Sequence, residues 1–186
     1  MATRIEPVLT VDDLDCMPDD GNRYELIEGE LLMSRAPGLS HQIVTANLVY
    51  IFMEYLRENP IGLTVPTPGV ILSKFSAVIP DVVFVSNERR SMIASGEKIT
   101  GAPELVIEIL SPGAENEERD RVAKRQLYGR HGVREYWVVD PEKHTIEIYR
   151  LTKRGLRLTA TVAGRDEITS PLLPGFKRRA ESIFEF

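Results

Sequence analysis

Three polar residues stand where the chain around them is apolar. Pro80-Asp81 opens the run Val82-Val83-Phe84-Val85, Glu108 interrupts the segment from Leu105 to Leu110, and Lys124 follows on a charged, helix-forming stretch. A buried carboxylate costs several kcal/mol unless it is paired, protonated or bound to a cation. Two carboxylates on neighbouring strands with an amine nearby are the minimum for a divalent metal and an activated water. Magnesium takes oxygen ligands and keeps several waters, so one or two carboxylates suffice. The metal polarises a phosphate oxygen and acidifies water, and a lysine stabilises the charge that develops. The donor set therefore fits phosphodiester hydrolysis. Zinc would want histidine or cysteine ligands. His41, His131 and His144 are far apart, and the single Cys16 rules out a cysteine-rich site and an internal disulfide.

Each residue also has a plainer reading. Asp after Pro80 is a common turn residue. Glu108 lies in a β-rich segment that disfavours acids. Alternation places Glu104, Val106 and Glu108 on one face and Leu105, Ile107 and Ile109 on the other. An ion pair with a lysine or arginine inside the fold accounts for Glu108 as well as a metal does. Asp120, Lys124 and Tyr128 share a helical face, which reads either as a solvated Asp-Lys pair or as a face aimed at the carboxylates. His41 starts the main helix after Ala36-Pro37-Gly38 and is a candidate base or substrate contact. Of Glu25, Glu28 and Glu30, two read as solvent-facing, while Glu25 is placed to add a carboxylate. There is no glycine-rich phosphate loop and no nucleophilic-serine elbow.

Elements must bring these groups together. The spacing predicts a short helix from Val11 capped by Thr10, then a hairpin over 22–33 turning at Glu28-Gly29. A helix over 40–57 follows, capped by Ser40, with Ile43, Ala46, Leu48, Ile51, Phe52 and Tyr55 as its apolar stripe. Strands are expected at 64–65, 70–72, 82–85, 105–110 and 135–140, with a helix over 117–129 between the last two. A hairpin pairs 145–151 with 156–162, and the tail packs Phe176, Ile183 and Phe184. This order predicts an α/β fold with a mixed central sheet, as one domain over 1–186.

The chain has 186 residues and a net charge of −5, which does not advertise nucleic-acid binding, although Arg119, Arg121, Lys124, Arg125 and Arg130 form a local basic cluster. No apolar run is long enough to span a bilayer, and residues 1–7 lack the apolar core of a signal peptide. A cytoplasmic location without a membrane partner is the expectation.

Several motifs taken together resemble a family. They are Tyr24-Glu25-Leu26-Ile27-Glu28-Gly29-Glu30-Leu31, His41-Gln42-Ile43, Pro80-Asp81-Val82-Val83, the stretch from Gly101 to Pro112, and Gly132-Val133-Arg134-Glu135-Tyr136-Trp137-Val138-Val139-Asp140-Pro141. They are similar to the Uma-type (Uma-two) restriction-endonuclease family of the PD-(D/E)XK nuclease superfamily, over roughly residues 10–184. The resemblance implies a restriction-endonuclease-like core flanked by helices, with N-terminal and C-terminal β-hairpins. It implies Asp81 and Glu108 as ligands of Mg2+ or Mn2+, with the main-chain carbonyl of Ile109 as a further ligand. The superfamily pattern puts lysine two residues after the glutamate. Here that position is Leu110, and the matching lysine is Lys124 on the following helix, supported by Tyr128. DNA is the implied substrate. Cutting both strands favours a homodimer. The alternative from another class is an inactive nuclease-fold module that binds nucleic acid or a protein.

Overall fold

The computed structural model describes residues 8–95 and 98–185; residues 1–7, read above for a signal peptide, lie outside the described residues. The elements run α1 (Val11–Leu14), β1 (Arg23–Ile27), β2 (Glu30–Ser34), α2 (Leu39–Glu58), β3 (Gly62–Pro66), β4 (Val70–Ser73), β5 (Ser76–Val78), β6 (Val82–Ser86), α3 (Asn87–Ile93), β7 (Ala94–Ser95), β8 (Lys98–Thr100) and β9 (Leu105–Ile109). A helix follows in three pieces: α4 (Ala114–Glu118), a π-helical stretch Arg119–Lys124, and α5 (Arg125–His131). Then come β10 (Glu135–Asp140), β11 (Thr145–Thr152), β12 (Gly155–Ala163), β13 (Glu167–Ile168), β14 (Arg178–Arg179) and a 3-10 turn Ala180–Ile183.

The central sheet has the order β12-β11-β10-β9-β6-β3 and is mixed: β9 and β10 run parallel, and the other neighbours run antiparallel. The parallel pair is connected through the α4–π–α5 helix, as parallel pairing requires. Strands β9 and β10 are buried along their whole length. The two faces of β9 feed two separate cores. Leu105, Ile107 and Ile109 pack with α2 and with the tail residues Phe176, Ile183 and Phe184. Val106 packs on the other side with Leu127, Tyr128 and Tyr136. The predicted alternation through Glu108 holds.

A second six-stranded sheet, β2-β1-β5-β4-β8-β7, covers that second face. Its Ile27, Val70 and Val78 join the core around Val106. The N-terminal hairpin thus belongs to this sheet, while the C-terminal hairpin β11–β12 extends the central one. The β1–β2 turn places Glu28 and Gly29 at φ +54° and +87°, the left-handed pair of a tight hairpin.

Local departures have local causes. Helix α2 begins one residue early with Gly38 as its N-cap, so Ser40 is not the cap. Its buried stripe is His41, Val44, Thr45, Leu48, Ile51, Phe52 and Tyr55. The stripe is turned from the expected one, leaving Ala46 exposed and drawing in His41 and Thr45. The second long helix starts at Ala114 and runs to His131, closed by Gly132 at φ +86°. Nothing in the sequence announced its π-helical middle.

Candidate active site

The antiparallel register of β6 and β9 pairs Val82 with Ile107. One step further along the same register sets Asp81 opposite Glu108. The two carboxylates are neighbours because of strand pairing, not because of a loop. Asp81 is held in place by backbone: the Ile109 N–H donates to its Oδ2 at 2.8 Å. His41 Nε2 reaches the same oxygen at 3.1 Å. Thr45, one turn along α2, donates its hydroxyl to the His41 carbonyl at 2.9 Å and lies 3.4 Å from Nδ1. Asp81 Oδ1 has Arg23 at 3.9 Å.

Lys124 enters from the π-helical turn. Such turns insert a residue into the helical ladder and recur at functional sites. Its Nζ lies 2.9 Å from Glu25 Oε1, 3.1 Å from Glu108 Oε1 and 3.9 Å from Asp120 Oδ1. Tyr128 donates its hydroxyl to the same Glu108 oxygen at 2.6 Å. Glu25 Oε1 also accepts the Ile79 N–H at 2.8 Å. Arg119 rests on Asp120, with Nε 3.1 Å from Oδ1, and Tyr136 donates to the Asp120 carbonyl. Glu25, His41, Asp81, Glu108, Asp120 and Lys124 are all buried, between 1% and 6% exposed.

This crowding sets the protonation. Burial pushes the Glu108 carboxyl well above the ordinary glutamate range. Lys124 pulls it back, and the nearby acids Asp81, Asp120 and Glu25 add to the rise. Burial alone would lower the Lys124 pKa, but Glu108, Glu25 and Asp120 outweigh it and hold the amine well above a free lysine. Lys124 is therefore a fixed cation near neutral pH. Burial, with the Glu108 charge second, raises Tyr128 well above a free tyrosine.

The cluster lines a cavity of about 390 Å³. Its floor is acidic and its rim is cationic: Arg23, Arg35 and Arg119 stand around the buried carboxylates. Among the described residues, no three His, Cys, Asp or Glu side chains are arranged to cage a metal ion by themselves. The donor set does fit a hard cation that keeps waters. Glu108 Oε2 enters no hydrogen bond among the described residues, and Asp81 Oδ1 has only the long Arg23 contact. Each carboxylate thus keeps an oxygen unclaimed, and Ile109 lines the same cavity.

Eight residues singled out from the sequence come together here: Asp81, Glu108, Lys124, Glu25, His41, Asp120, Tyr128 and Ile109. Glu28 and Glu30 are exposed, as the hairpin pattern predicts. His131 and His144 stand apart, the latter stacked on Phe184. Glu104, on the same strand face as Glu108, is satisfied by the Ser86 amide and hydroxyl and takes no part. The sequence reading did not single out Arg23 or Thr45. Both had a usable signal: Arg23 is two residues before Glu25 on one strand face, and Thr45 is one helical turn from His41.

No curated protein matches the chain. Among solved structures, a "putative nuclease belonging to DUF820" from Anabaena variabilis ATCC 29413 superposes with a TM-score of 0.76 at 19% identity, covering 95% of this chain and 97% of that one. At that identity the likeness shows the fold. The model of the family Uma2, described as "Putative restriction endonuclease", matches residues 11–181. That match spans both sheets and every strand and helix that feeds the cavity, and by it the chain belongs to the Uma2 family of nuclease-fold proteins.

Proposed function

We propose that this protein is a magnesium- or manganese-dependent endonuclease that hydrolyses phosphodiester bonds in DNA. The observation that carries the reading is the convergence of Asp81, Glu108 and Lys124 on one cavity with an acidic floor and an arginine rim. Asp81 and Glu108 would hold the cation, with the Ile109 carbonyl as a further oxygen donor. The metal would supply positive charge against a phosphoryl oxygen and lower the pKa of water. The remaining work falls to the chain. Lys124, kept protonated by three carboxylates, donates rather than accepts a proton; it positions the attacking water and offsets charge on the phosphoryl group. Glu25 fixes that amine, and Tyr128 fixes the Glu108 oxygen that the amine meets. His41 and the Ile109 N–H fix Asp81. Arg23, Arg35 and Arg119 attract the backbone phosphates to the mouth. A homodimer would present two such sites to the two strands.

A second reading has its own observation. Lys124 already contacts Glu108 and Glu25, which is what a purely structural ion-pair network, or an inactive nuclease-fold module, would also contain. Plasmid cleavage with magnesium or manganese separates them. The wild type should nick or linearise DNA and Asp81→Ala should not. Equal behaviour of the two proteins across plasmid, oligonucleotide and RNA substrates would defeat the catalytic reading. Calorimetric titration with manganese on wild type and Glu108→Gln then decides whether the site holds a metal at all.

A further inference from the structure

The basic cluster foreseen in the sequence does not survive as a cluster. Lys124 is buried among carboxylates, and Arg119 lies on Asp120. Arg121 is bound to Asp140 and Glu147 at 3.2 and 3.1 Å. Only Arg125 and Arg130 remain, and they face a different part of the fold. The α5 helix packs against the β11–β12 hairpin so closely at Gly129 that an added Cβ would stand 3.2 Å from the Leu156 amide nitrogen. Above this contact lies an open groove of about 730 Å³. Arg125, Arg130, Lys153, Arg154 and Arg157 line it, and no Asp or Glu does.

We infer that this groove binds the phosphate backbone of duplex DNA, as a site separate from the catalytic cavity. The inference rests on the nucleic-acid part of the function proposed above. Five cations line the groove, and among the described residues only Arg130 of them is paired to an acid, Glu28, so the groove is locally basic on a chain whose net charge is −5. Lys153, Arg154 and Arg157 are exposed and form no ion pair among the described residues. Arg125 is steadied over the Tyr149 ring at 5.2 Å, while Arg130 is shared with Glu28. The hairpin tip that carries Lys153 and Arg154 is pre-formed: Thr152 Oγ1 donates to the Gly155 carbonyl and accepts the Arg154 N–H. Guanidinium groups on a fixed frame suit phosphate oxygens in pairs. The lining contains no aromatic ring, so it lacks the stacking platform that single strands use. A duplex, read through its backbone, is the better fit.

The same helix joins groove and cavity. Arg119 at the cavity mouth and Arg130 in the groove are separated by about 15 Å of helix rise. No residue lines both.

The test is fluorescence anisotropy with a labelled mixed-sequence duplex, in EDTA so that nothing is cut, over a salt series. Arg154→Glu/Arg157→Glu is compared with the wild type and with Arg57→Glu/Arg90→Glu, which makes the same charge change at exposed positions elsewhere. The groove variant should bind at least tenfold more weakly at low salt. Its slope of log affinity against log salt should fall by about 2, close to 0.9 per phosphate contact removed. The control should stay within threefold of the wild type. Equal loss in both variants, no loss in the groove variant, or no duplex binding by the wild type overturns the inference. So does displacement by polyglutamate as effective as by unlabelled duplex, which would point to an acidic protein instead. Plasmid cleavage run beside it keeps the two readings apart. Cleavage by the wild type with an unchanged groove variant defeats only the groove. Groove-dependent binding without any cleavage defeats only the nuclease.

Discussion

Lys124 and Glu108 meet at 3.1 Å across sixteen residues of chain, the amine coming from a π-helical turn and the carboxylate from the middle of a buried strand. Glu108 Oε1 is satisfied twice from that one helix, by Lys124 and by Tyr128 one turn further on. The helix therefore docks on the sheet through a charge contact as well as through Leu127 and its apolar neighbours. Removing either partner tests the docking and the chemistry separately.

Tyr128→Phe removes one hydroxyl from a fully buried ring and leaves the packing intact. A hydrogen bond to a charged group contributes about 1.5–3 kcal/mol, so urea unfolding should show a loss of that size with an unchanged m-value. A stability equal to wild type would mean that the hydroxyl contributes nothing.

Lys124→Met leaves Glu108, Glu25 and Asp120 buried without their shared cation. Breaking one partner of a buried pair costs about 3–5 kcal/mol. In a double-mutant cycle, Lys124→Met/Glu108→Gln should cost less than the two single changes added together, with a coupling of about 1–3 kcal/mol. Strict additivity of the three measured unfolding free energies would contradict the pairing.

Stability should also depend on pH through Glu108. Its folded-state pKa is raised, chiefly by burial, so between the ordinary glutamate value and that raised value the native state holds more protons than the unfolded one. Unfolding free energy then falls as pH rises through this window, by at most about 1.4 kcal/mol per pH unit for one proton. Asp140 acts in the opposite sense and lower down. Its burial is outweighed by hydrogen bonds from Lys143 and Arg121, its pKa is lowered, and its contribution is lost only as pH drops below the ordinary aspartate range. Urea unfolding from pH 5 to 8 should show a falling wild-type profile that Glu108→Gln flattens. Parallel profiles for the two proteins would sink this assignment.

What was legible in the sequence was what two-residue and four-residue periods control. Alternation along 104–109 placed Glu108 opposite the α2 core, and the helical spacing of Asp120, Lys124 and Tyr128 gave one face. The register of β6 on β9 was not legible, since strand pairing joins residues distant in sequence; the resemblance to a family supplied that juxtaposition instead. The short strands of the second sheet, β5, β7 and β8, carry two or three residues each, too few for a pattern. The basic cluster misled because charge near in sequence says nothing of its partners: Asp140 and Glu147 neutralise Arg121 from strands far along the chain. Helix α2 begins at Leu39 with Gly38 as its N-cap, so Ser40 lies within the first turn, and His41 is buried on the face that meets Asp81.

His41 is the place where position and chemistry can be told apart. It touches Asp81 Oδ2, but the Ile109 N–H holds the same oxygen more closely, at 2.8 against 3.1 Å. Losing the imidazole should loosen the carboxylate without freeing it. Outer partners of metal-binding carboxylates typically change metal affinity or activity by about 10–100-fold when removed. His41→Ala should therefore cleave plasmid more weakly by about that factor at low manganese and recover as manganese is raised. Asp81→Asn, which removes the charge itself, should not recover. A His41→Ala protein that matches the wild type at every manganese concentration would make the imidazole a bystander. One that stays inactive at saturating metal would give it a direct part in the reaction, because a group that only positions Asp81 acts on metal affinity and so yields to mass action.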